Sequence, residues 1–296
     1  MTRPLAMALV QAPPLGVRGA LTEFAEEVRG VAEGFPRTQI IVYPEYHVCG
    51  LEGDAPALEQ YRQMAEPLSG PRMRRLADIA RTSGRWLIPG TVIELGQGGE
   101  LLNCCPVFNP RGEVVATYRK MFPWRPFEPW KPGTEFSLFE IPGIGRLGLS
   151  ICYDTWFPEV FRQLAWMGAE VIINVSYTVT SDRAQETVLA RAHAIVNQVF
   201  FVTVNAATPG AGKSMVVDPE GHVRSESFSE APTVLTDCID LDAVSLARRQ
   251  GTAALDRPWS QFADGDVPLE LPVYQGRIDP AAWDPAAKAH VTSTEQ

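Results

Sequence analysis

The chain has 296 residues, of which 45% are apolar and 21% are charged, and its formal net charge at pH 7 is −9. This composition predicts a globular protein with a large core, and the excess of acidic residues disfavours binding to the phosphates of nucleic acids. No apolar run reaches the length of about 18 residues that a membrane span needs. The first residues also lack the cleavage region of a secretory signal, so we expect a cytoplasmic protein.

The five cysteines are an odd number and show no C-x-x-C spacing; they are Cys49, Cys104, Cys105, Cys152 and Cys238. This pattern favours free thiols over a disulfide framework or a zinc site. Cys104 and Cys105 are neighbours on a predicted strand, where successive side chains point to opposite faces, so they cannot readily bind one metal ion. We assign one of them to the core and do not assign a position to the other.

The first half of the chain alternates short apolar runs with helical patterns. Helices are predicted over 20–35 and 72–84, because their apolar residues are spaced three and four apart, and Gly84 is a plausible helix end. The predicted strands, each ending at a turn signal, are 5–12, 39–45, 85–94, 105–110 and 113–120.

The second half repeats this order, with strands at 146–152, 171–177 and 200–205 and helices at 158–167 and 182–198. Each half closes on a similar hairpin, "VFNPRGEV" in the first and "VVDPEGHV" in the second, in which Asn-Pro or Asp-Pro and a glycine set the turn. The repeat indicates two sheets, each covered by helices on one face, whose bare faces bury each other. We therefore predict an α/β fold with four layers, αββα, in one domain over 1–275, and a C-terminal tail or oligomerisation arm over 276–296.

"GIGRLG" at 143–148 has the G-x-G-x-x-G spacing of dinucleotide-binding loops. It precedes a strand, whereas the binding motif follows a strand and opens a helix. A turn is therefore predicted here.

Cys152 ends a predicted buried strand shortly before a helix that begins at Pro158. A side chain at such an elbow projects above the sheet, and the helix N-terminus behind it would lower the pKa of the thiol. This position suits a nucleophile, although a small buried structural cysteine fits the same local pattern.

Two charged residues also end predicted strands. Glu45 follows "IIVYP", where partial burial would raise the pKa of the carboxyl group and suit a general base. Lys120 precedes a segment rich in aromatic residues and proline, where an ammonium group could stabilise an oxyanion. Taken singly, Glu45 could be a solvated loop residue and Lys120 a surface charge, and none of the four histidines lies in a recognisable base motif.

Three segments, "YPEY", "YRKMFPW" and "SICYDTWFPEVFRQLAWMGAEVIINVS", resemble the motifs of the nitrilase superfamily of carbon–nitrogen hydrolases. The resemblance covers nearly the whole chain to about residue 275. It implies the αββα sandwich, with Glu45 as general base, Lys120 as the cation that stabilises the oxyanion, and Cys152 as nucleophile. It also implies a thioester intermediate and no metal or organic cofactor.

"YRKMFPWRPFEPWKPG" is similar to the aliphatic amidase and formamidase branch, which implies a second catalytic glutamate at Glu128. Tyr153 and Trp156 depart from the pattern of that branch. The candidates for the substrate pocket are Tyr46, Trp124, Tyr153, Trp156 and Tyr177. The expected partners are a small amide substrate and other copies of the chain, as a homodimer or a larger even-numbered oligomer, with neither nucleic acid nor membrane.

Other functions fit parts of the sequence. An N-carbamoyl-amino-acid amidohydrolase would need a cation for the substrate carboxylate, for which Arg125, Lys131 and Arg183 are candidates; a nitrilase would share the triad. A catalytically inactive binding protein on the same scaffold would not need Glu45, Lys120 and Cys152 together. A thiol-redox protein would need a second cysteine near Cys152 in the sequence.

Overall fold

The computed structural model describes residues 2–16, 20–261, 263–271 and 276–278. The helices of this part of the chain are α1 (Ala20–Gly34), α2 (Ala57–Met64), α3 (Pro71–Ser83), α4 (Pro158–Trp166), α5 (Arg183–Asn197) and α6 (Asp242–Gln250). The strands are β1 (Pro4–Gln11), β2 (Ile40–Val42), β3 (Trp86–Ile88), β4 (Val92–Leu95), β5 (Leu101–Phe108), β6 (Val114–Arg119), β7 (Leu138–Ile141), β8 (Gly145–Ile151), β9 (Val171–Ser176), β10 (Phe200–Asn205), β11 (Met215–Val217), β12 (Val223–Glu226) and β13 (Thr233–Asp240).

The strands form two sheets. The first has the order β13-β1-β2-β3-β5-β4, with β6 also paired to β5, and the second has the order β12-β11-β10-β9-β8-β7. The inner strands β1, β2 and β3 are parallel, as are β8, β9 and β10. The carboxyl ends of parallel neighbours lie at one edge, so the residues that follow β2, β8 and β9 can be brought together there.

The two faces of each inner strand serve different cores, because successive side chains point in opposite directions. In β1, Leu5, Met7 and Leu9 join Leu147 and Ile173 of the second sheet in a core between the sheets. Burial of each such aliphatic side chain contributes about 1.5 to 3 kcal/mol.

The outer face of each sheet is covered by helices. Ala8 and Val10 of β1 pack with residues of α1 and α3, and on the second sheet the ring of Phe161 in α4 lies 5.3 Å from that of Phe201. The layers are therefore αββα, which confirms the predicted fold class.

The two hairpins that suggested an internal repeat have the same pattern of internal hydrogen bonds. The side chain of Asn109 accepts bonds from the N–H groups of Arg111 and Glu113 at 2.9 and 3.0 Å. Asp218 does the same for Glu220 and His222 at 2.9 and 3.0 Å. Both hairpins also carry a register shift in the strand before the turn, so the resemblance between the halves extends to backbone geometry.

The prediction of a single strand over 85–94 is wrong, because this segment forms two strands, β3 and β4. Gly90 has φ +85, and a Cβ at this position would lie 1.8 Å from the carbonyl oxygen of Pro44. This contact requires glycine and interrupts the ladder. The prediction also omitted β7, β13, α2 and α6. Of these, β13 pairs along its full length with the distant β1.

Gly143 and Gly145 lie in the β7–β8 hairpin, where the N–H of Ile144 donates to the carbonyl of Ile141, which confirms the predicted turn. Cys104 and Cys105 are both fully buried; Cys104 belongs to the core under α1 and α3 and Cys105 to the core between the sheets. All five cysteines are free thiols, as predicted.

The chain divides into two compact units after Pro258. In the second unit, residues 263–271 contain neither helix nor strand. The predicted boundary after residue 275 stays a prediction, since most of the proposed tail lies outside the described residues. No helix in the described part of the chain combines the length and apolar character needed to cross a membrane.

Candidate active site

Residues that follow four strands meet at one edge of the two sheets. Glu45 follows β2, Lys120 follows β6, and Cys152 follows β8. Thr178 comes two residues after β9 and places its hydroxyl oxygen 3.8 Å from the sulfur of Cys152. The predicted Glu45, Lys120 and Cys152 are therefore brought together from elements distant in sequence.

Glu45 is buried, with 1% of its surface exposed, and both of its carboxylate oxygens are engaged. Oε1 accepts hydrogen bonds from Lys120 Nζ at 3.0 Å and from Asn103 Nδ2 at 2.8 Å, and Oε2 accepts one from the N–H of Tyr177 at 2.9 Å. The side chain of Cys152 also interacts with this carboxylate and lowers its pKa, a smaller effect than those of burial and Lys120. Glu45 is thus held in one orientation against the sulfur.

Lys120 lies between two carboxylates. Its Nζ donates to Glu45 and, at 2.9 Å, to Oε1 of Glu128, and it lies 2.7 Å from Oε2 of Glu128. Glu128 is held in turn by the hydroxyl of Tyr46 at 2.7 Å and by the N–H of Trp124 at 2.6 Å. An ammonium group has three N–H donors, and three carboxylate oxygens lie within 3.0 Å of this one, so its charge is fully compensated at the site.

The turn that carries Cys152 is stabilised by Asp154. Oδ2 of this buried carboxylate accepts from the N–H of Ile151 at 2.9 Å and from the hydroxyl of Tyr118 at 2.7 Å, and Oδ1 accepts from the N–H of Phe122 at 2.9 Å. Asp154 therefore ties the cysteine turn to the segment that follows Lys120. Burial raises the pKa of Asp154 to about 6.

Two residues of the site have left-handed backbone conformations, Tyr46 with φ 59 and Cys152 with φ 47. For residues with a side chain this conformation costs on the order of 1 kcal/mol, and it occurs often at functional sites. The surrounding hydrogen bonds hold both residues in these strained positions.

Burial raises the pKa of Glu45 to about 7, an effect that Lys120 opposes and Glu128 adds to. Burial opposes ionisation of Lys120, but the charges of Glu45, Cys152 and Glu128 outweigh it and raise the pKa of Lys120. Burial likewise opposes ionisation of Glu128, but the charge of Lys120 and the hydrogen bonds to this carboxylate lower its pKa. The raised pKa expected for Glu45 is therefore confirmed.

The expected lowering of the Cys152 pKa is wrong, because burial, followed by the charge of Glu45, raises the pKa of this thiol well above its usual range. The nearest α-helix, α4, begins only at Pro158, and a short 3₁₀ turn over Cys152–Trp156 intervenes. Burial, with the charge of Glu45 as the next cause, therefore sets the pKa of this thiol.

Three of the five predicted pocket residues contact the carboxylates directly. Tyr46 and Trp124 hold Glu128, and Tyr177 holds Glu45 through its N–H, while the rings of Tyr46 and Tyr177 pack edge to face at 6.0 Å.

Tyr153 and Trp156 form a separate group in the cysteine turn. Their rings lie 6.3 Å apart, and Tyr153 packs at 5.7 Å on Phe157, which stacks on Phe122. A role for these two side chains in substrate binding stays a prediction.

The cations considered for a substrate carboxylate are engaged elsewhere. Arg183 is 2% exposed and donates to Glu186, Thr203 and two carbonyl groups. Lys131 pairs with Glu100 at 2.5 Å, and Arg125 donates to the carbonyl of Trp130 at 3.3 Å. The geometry gives no support to a carboxylate-binding role for these three.

Several residues of the site were not predicted from the sequence. Asn103 bridges Glu45 and the hydroxyl of Tyr46, and Trp130 donates to that hydroxyl at 2.7 Å. Asp154 contacts the backbone of the cysteine turn, and Thr178 contacts the sulfur of Cys152. An asparagine inside an apolar strand and an aspartate two residues after the nucleophile were the available signals.

The histidines have other partners. Nε2 of His47 lies 2.8 Å from Glu27, and Nε2 of His193 lies 2.8 Å from the carbonyl of Thr155. The described residues also include one group that could offer three metal ligands, Asp218, Glu220 and His222. Asp218 already stabilises its hairpin turn, and this group belongs to the β11–β12 turn.

A groove of about 510 Å³ lies between α1 and α3 and is lined by charged side chains such as Arg29, Arg75 and Asp78. It belongs to the outer helical layer, and none of its lining residues belongs to the site around Cys152. The chemistry of buried charges, and not the volume of this groove, therefore locates the candidate active site.

Comparison with known proteins assigns the chain to a family. Residues 6–249 match the family model described as carbon-nitrogen hydrolase. The chain is 30% identical over 188 residues to a formamidase from Bacillus cereus (strain B4264), an alignment that covers 63% of this chain and 56% of the relative. The chain thus spans little more than half the length of the curated relatives it matches.

Two solved structures show the same fold. Nit3 from Saccharomyces cerevisiae, a member of branch 10 of the nitrilase superfamily, aligns with a TM-score of 0.75 and 24% identity over 83% of this chain and 94% of that one. A cysteine-to-alanine mutant of the amidase from Nesterenkonia sp. AN1, in complex with butyramide, aligns with a TM-score of 0.70 and 23% identity over the same shares. Because the family model matches most of the chain, and the three motifs lie within the matched range, this protein belongs to the carbon–nitrogen hydrolase family.

Proposed function

We propose that this protein is a cysteine-dependent amidase that hydrolyses the C–N bond of a small carboxylic amide and releases ammonia or an amine. The observation that carries the proposal is the buried array of Glu45, Lys120 and Glu128 beside the thiol of Cys152. Buried charges that are paired and aimed at a nucleophile are typical of a catalytic site. The similarity to a formamidase supports an amide as the substrate.

In the proposed reaction, Glu45 accepts the proton of Cys152 while the sulfur attacks the carbonyl carbon. The negative charge that develops on the carbonyl oxygen is stabilised by the positive charge of Lys120 and by the backbone N–H of Tyr153. The tetrahedral intermediate collapses to a thioester as Glu45 returns its proton to the leaving nitrogen. Glu45 then takes a proton from the water that attacks the thioester, and it returns this proton to the sulfur of Cys152 as the carboxylic acid leaves.

Glu128 supports this cycle by fixing Lys120, since it is the second carboxylate bonded to that ammonium group. We also propose that the protein acts as a homodimer or a larger even-numbered oligomer. The support for an oligomer is the apolar surface that α4 and α5 expose, where Trp166 is 74% and Val188 66% exposed.

The test is the release of ammonia or amine across a panel of short aliphatic amides, aryl amides, carbamoyl amino acids and nitriles. We expect turnover of at least one simple amide and none by Cys152→Ala, whose circular dichroism should match the wild type because little core volume is lost. Mass spectrometry of the wild type should show an acyl adduct on Cys152. Turnover confined to nitriles or carbamoyl compounds, or an adduct confined to other cysteines, would overturn the proposal.

A further inference from the structure

A second buried ion pair reaches Cys152 from α5. Arg183 and Glu186 are 2% and 3% exposed, and Nη1 of Arg183 lies 3.0 Å from Oε2 of Glu186. The same carboxylate oxygen accepts a hydrogen bond from the hydroxyl of Thr178 at 2.8 Å. Oγ1 of Thr178 is in turn 3.8 Å from the sulfur of Cys152. Neither Thr178 nor Glu186 has a role in the reaction proposed above.

The guanidinium group of Arg183 is fixed on several sides. Nε donates to the carbonyl of Gly212 at 3.1 Å, and Nη2 donates to Oγ1 of Thr203 at 3.1 Å and to the carbonyl of Lys213 at 2.8 Å. With its donors directed in this way, Arg183 holds the carboxylate of Glu186 in one position. A buried charge pair with this many hydrogen bonds is rigid.

Thr178 is also fixed at its backbone. Its N–H donates to Oδ1 of Asn205 at 2.8 Å, and its carbonyl accepts from Nδ2 of the same side chain at 3.2 Å. A hydroxyl group has one proton to donate, and a carboxylate accepts hydrogen bonds only. Because Thr178 gives its proton to Glu186, it presents lone pairs, and not a proton, to the sulfur.

We infer that Thr178 is a positioning residue for the nucleophile: its hydroxyl, oriented by the Arg183–Glu186 pair, accepts a hydrogen bond from the neutral thiol of Cys152. The single thiol proton then has two acceptors, Thr178 and Glu45, and Thr178 offers no donor to a thiolate. The sulfur therefore stays protonated and in place until Glu45 removes its proton during attack. This inference rests on the proposed function for its catalytic meaning, but the hydrogen bond itself can be tested without an amide.

The charged groups that face the sulfur come from several elements. They are Glu45 after β2, Lys120 after β6, Glu128 in the segment beyond it, and Glu186 on α5. Thr178→Val keeps the shape of the side chain and leaves all four charges in place. Thr178→Ser keeps the hydroxyl and serves as the matched control.

The experiment measures the pH dependence of iodoacetamide alkylation at Cys152, followed by peptide mass spectrometry so that the exposed Cys238 does not contribute. We expect Thr178→Val to move the midpoint of alkylation down by about 0.5 to 1 pH unit, because the neutral thiol alone loses a hydrogen bond. Thr178→Ser should match the wild type. An unchanged or raised midpoint in Thr178→Val would overturn the inference, and a raised one would mean that the hydroxyl donates to the thiolate.

Glu186→Gln gives a second test should the valine variant fail to fold. Removing this negative charge, and releasing the threonine proton toward the sulfur, should also lower the midpoint; no shift would count against the inference. With a substrate in hand, Thr178→Val should reduce kcat by about tenfold with little change in KM. Since alkylation needs no amide, loss of the proposed function would leave this test intact.

Discussion

Glu45 illustrates how burial sets the chemistry of a single residue. Its carboxylate is 1% exposed, yet Lys120 and two further donors satisfy it. Removal from water favours the neutral acid, and the ammonium group favours the anion, so the pKa settles at about 7. A group with this pKa can both accept and return a proton near neutral pH.

The first prediction is that kcat/KM falls by about tenfold per pH unit on the acid side of the pKa of Glu45, because a general base must be ionised to accept a proton. The folded-state pKa is raised, so activity is present above about pH 7 and is lost below it. A rate profile of the purified enzyme with a simple amide would measure this limb. A flat profile across the region of about pH 5 to 8 would rule out Glu45 as the base.

The second prediction concerns Glu128. Glu128→Gln keeps the shape and removes the charge, and it should lower the rate of amide hydrolysis by about 100-fold or more. Because the charge of Glu128 contributes to the raised pKa of Glu45, the acid limb should also move to lower pH.

The matched control is Glu100→Gln, which removes a half-buried glutamate paired with Lys131 and distant from Cys152 in the sequence. It should leave both the rate and the acid limb unchanged. A Glu128→Gln rate within about threefold of the wild type would show that the charge of Glu128 is not needed.

At the scale of elements, the break between β3 and β4 positions the catalytic loop. Gly90 packs its backbone against the carbonyl of Pro44, the residue before Glu45. The N–H of Tyr46 also donates to Oγ1 of Thr91 at 3.0 Å. The segment between the two strands therefore supports the loop that carries Glu45, which explains why one continuous strand does not form.

The third prediction is that Gly90→Ala destabilises the protein by about 3 kcal/mol or more, the sum of a left-handed backbone and a forced shift of packed atoms. It should also reduce activity, since the displaced atom belongs to the residue before Glu45. Urea unfolding and the rate of amide hydrolysis would measure the two effects.

Gly53→Ala is the control, because Gly53 has φ +63 and no atom within 4 Å of the added methyl group. It should cost only about 1 kcal/mol and leave activity unchanged. Equal losses in the two variants would mean that the contact with Pro44 is unimportant.

At the scale of the whole molecule, α4 and α5 present apolar side chains to the outside. Trp166 is 74% exposed, Val188 66% and Ile195 47%. The two helices lie side by side, since Arg162 of α4 donates to the carbonyl of Val196 of α5 at 2.8 Å. An exposed apolar surface of this kind is typical of a subunit interface.

The fourth prediction is that light scattering at micromolar concentration gives a mass at least twice that of the 32.5 kDa chain. Trp166→Glu should lower this mass, because a charge would be buried in the interface. Phe228→Glu changes a side chain that is 85% exposed outside α4 and α5, and it should leave the mass unaltered. A wild-type mass equal to one chain would reject the interface.

Local patterns in the sequence determined much of the fold. The spacing of apolar residues predicted α1, α3, α4 and α5 nearly to their observed ends, and the Asn-Pro and Asp-Pro turns predicted both matching hairpins. These features depend on neighbours within a few residues, so a single sequence contains them. The motifs around Glu45, Lys120 and Cys152 are also short local segments, and they indicate the family without information on tertiary contacts.

Only the tertiary structure decided which polar groups meet at the site. Asn103 bonds to Glu45 across 58 positions, and Asp154 bonds to Tyr118 across 36. Thr178 and Glu186 reach Cys152 only because β8 and β9 end at the same edge and α5 packs beside them. The pKa of Cys152 followed the same rule: a local helix terminus predicted a lower value, and burial among distant carboxylates raised it. Burial and charge act through space, and their partners are chosen by how the two sheets stack.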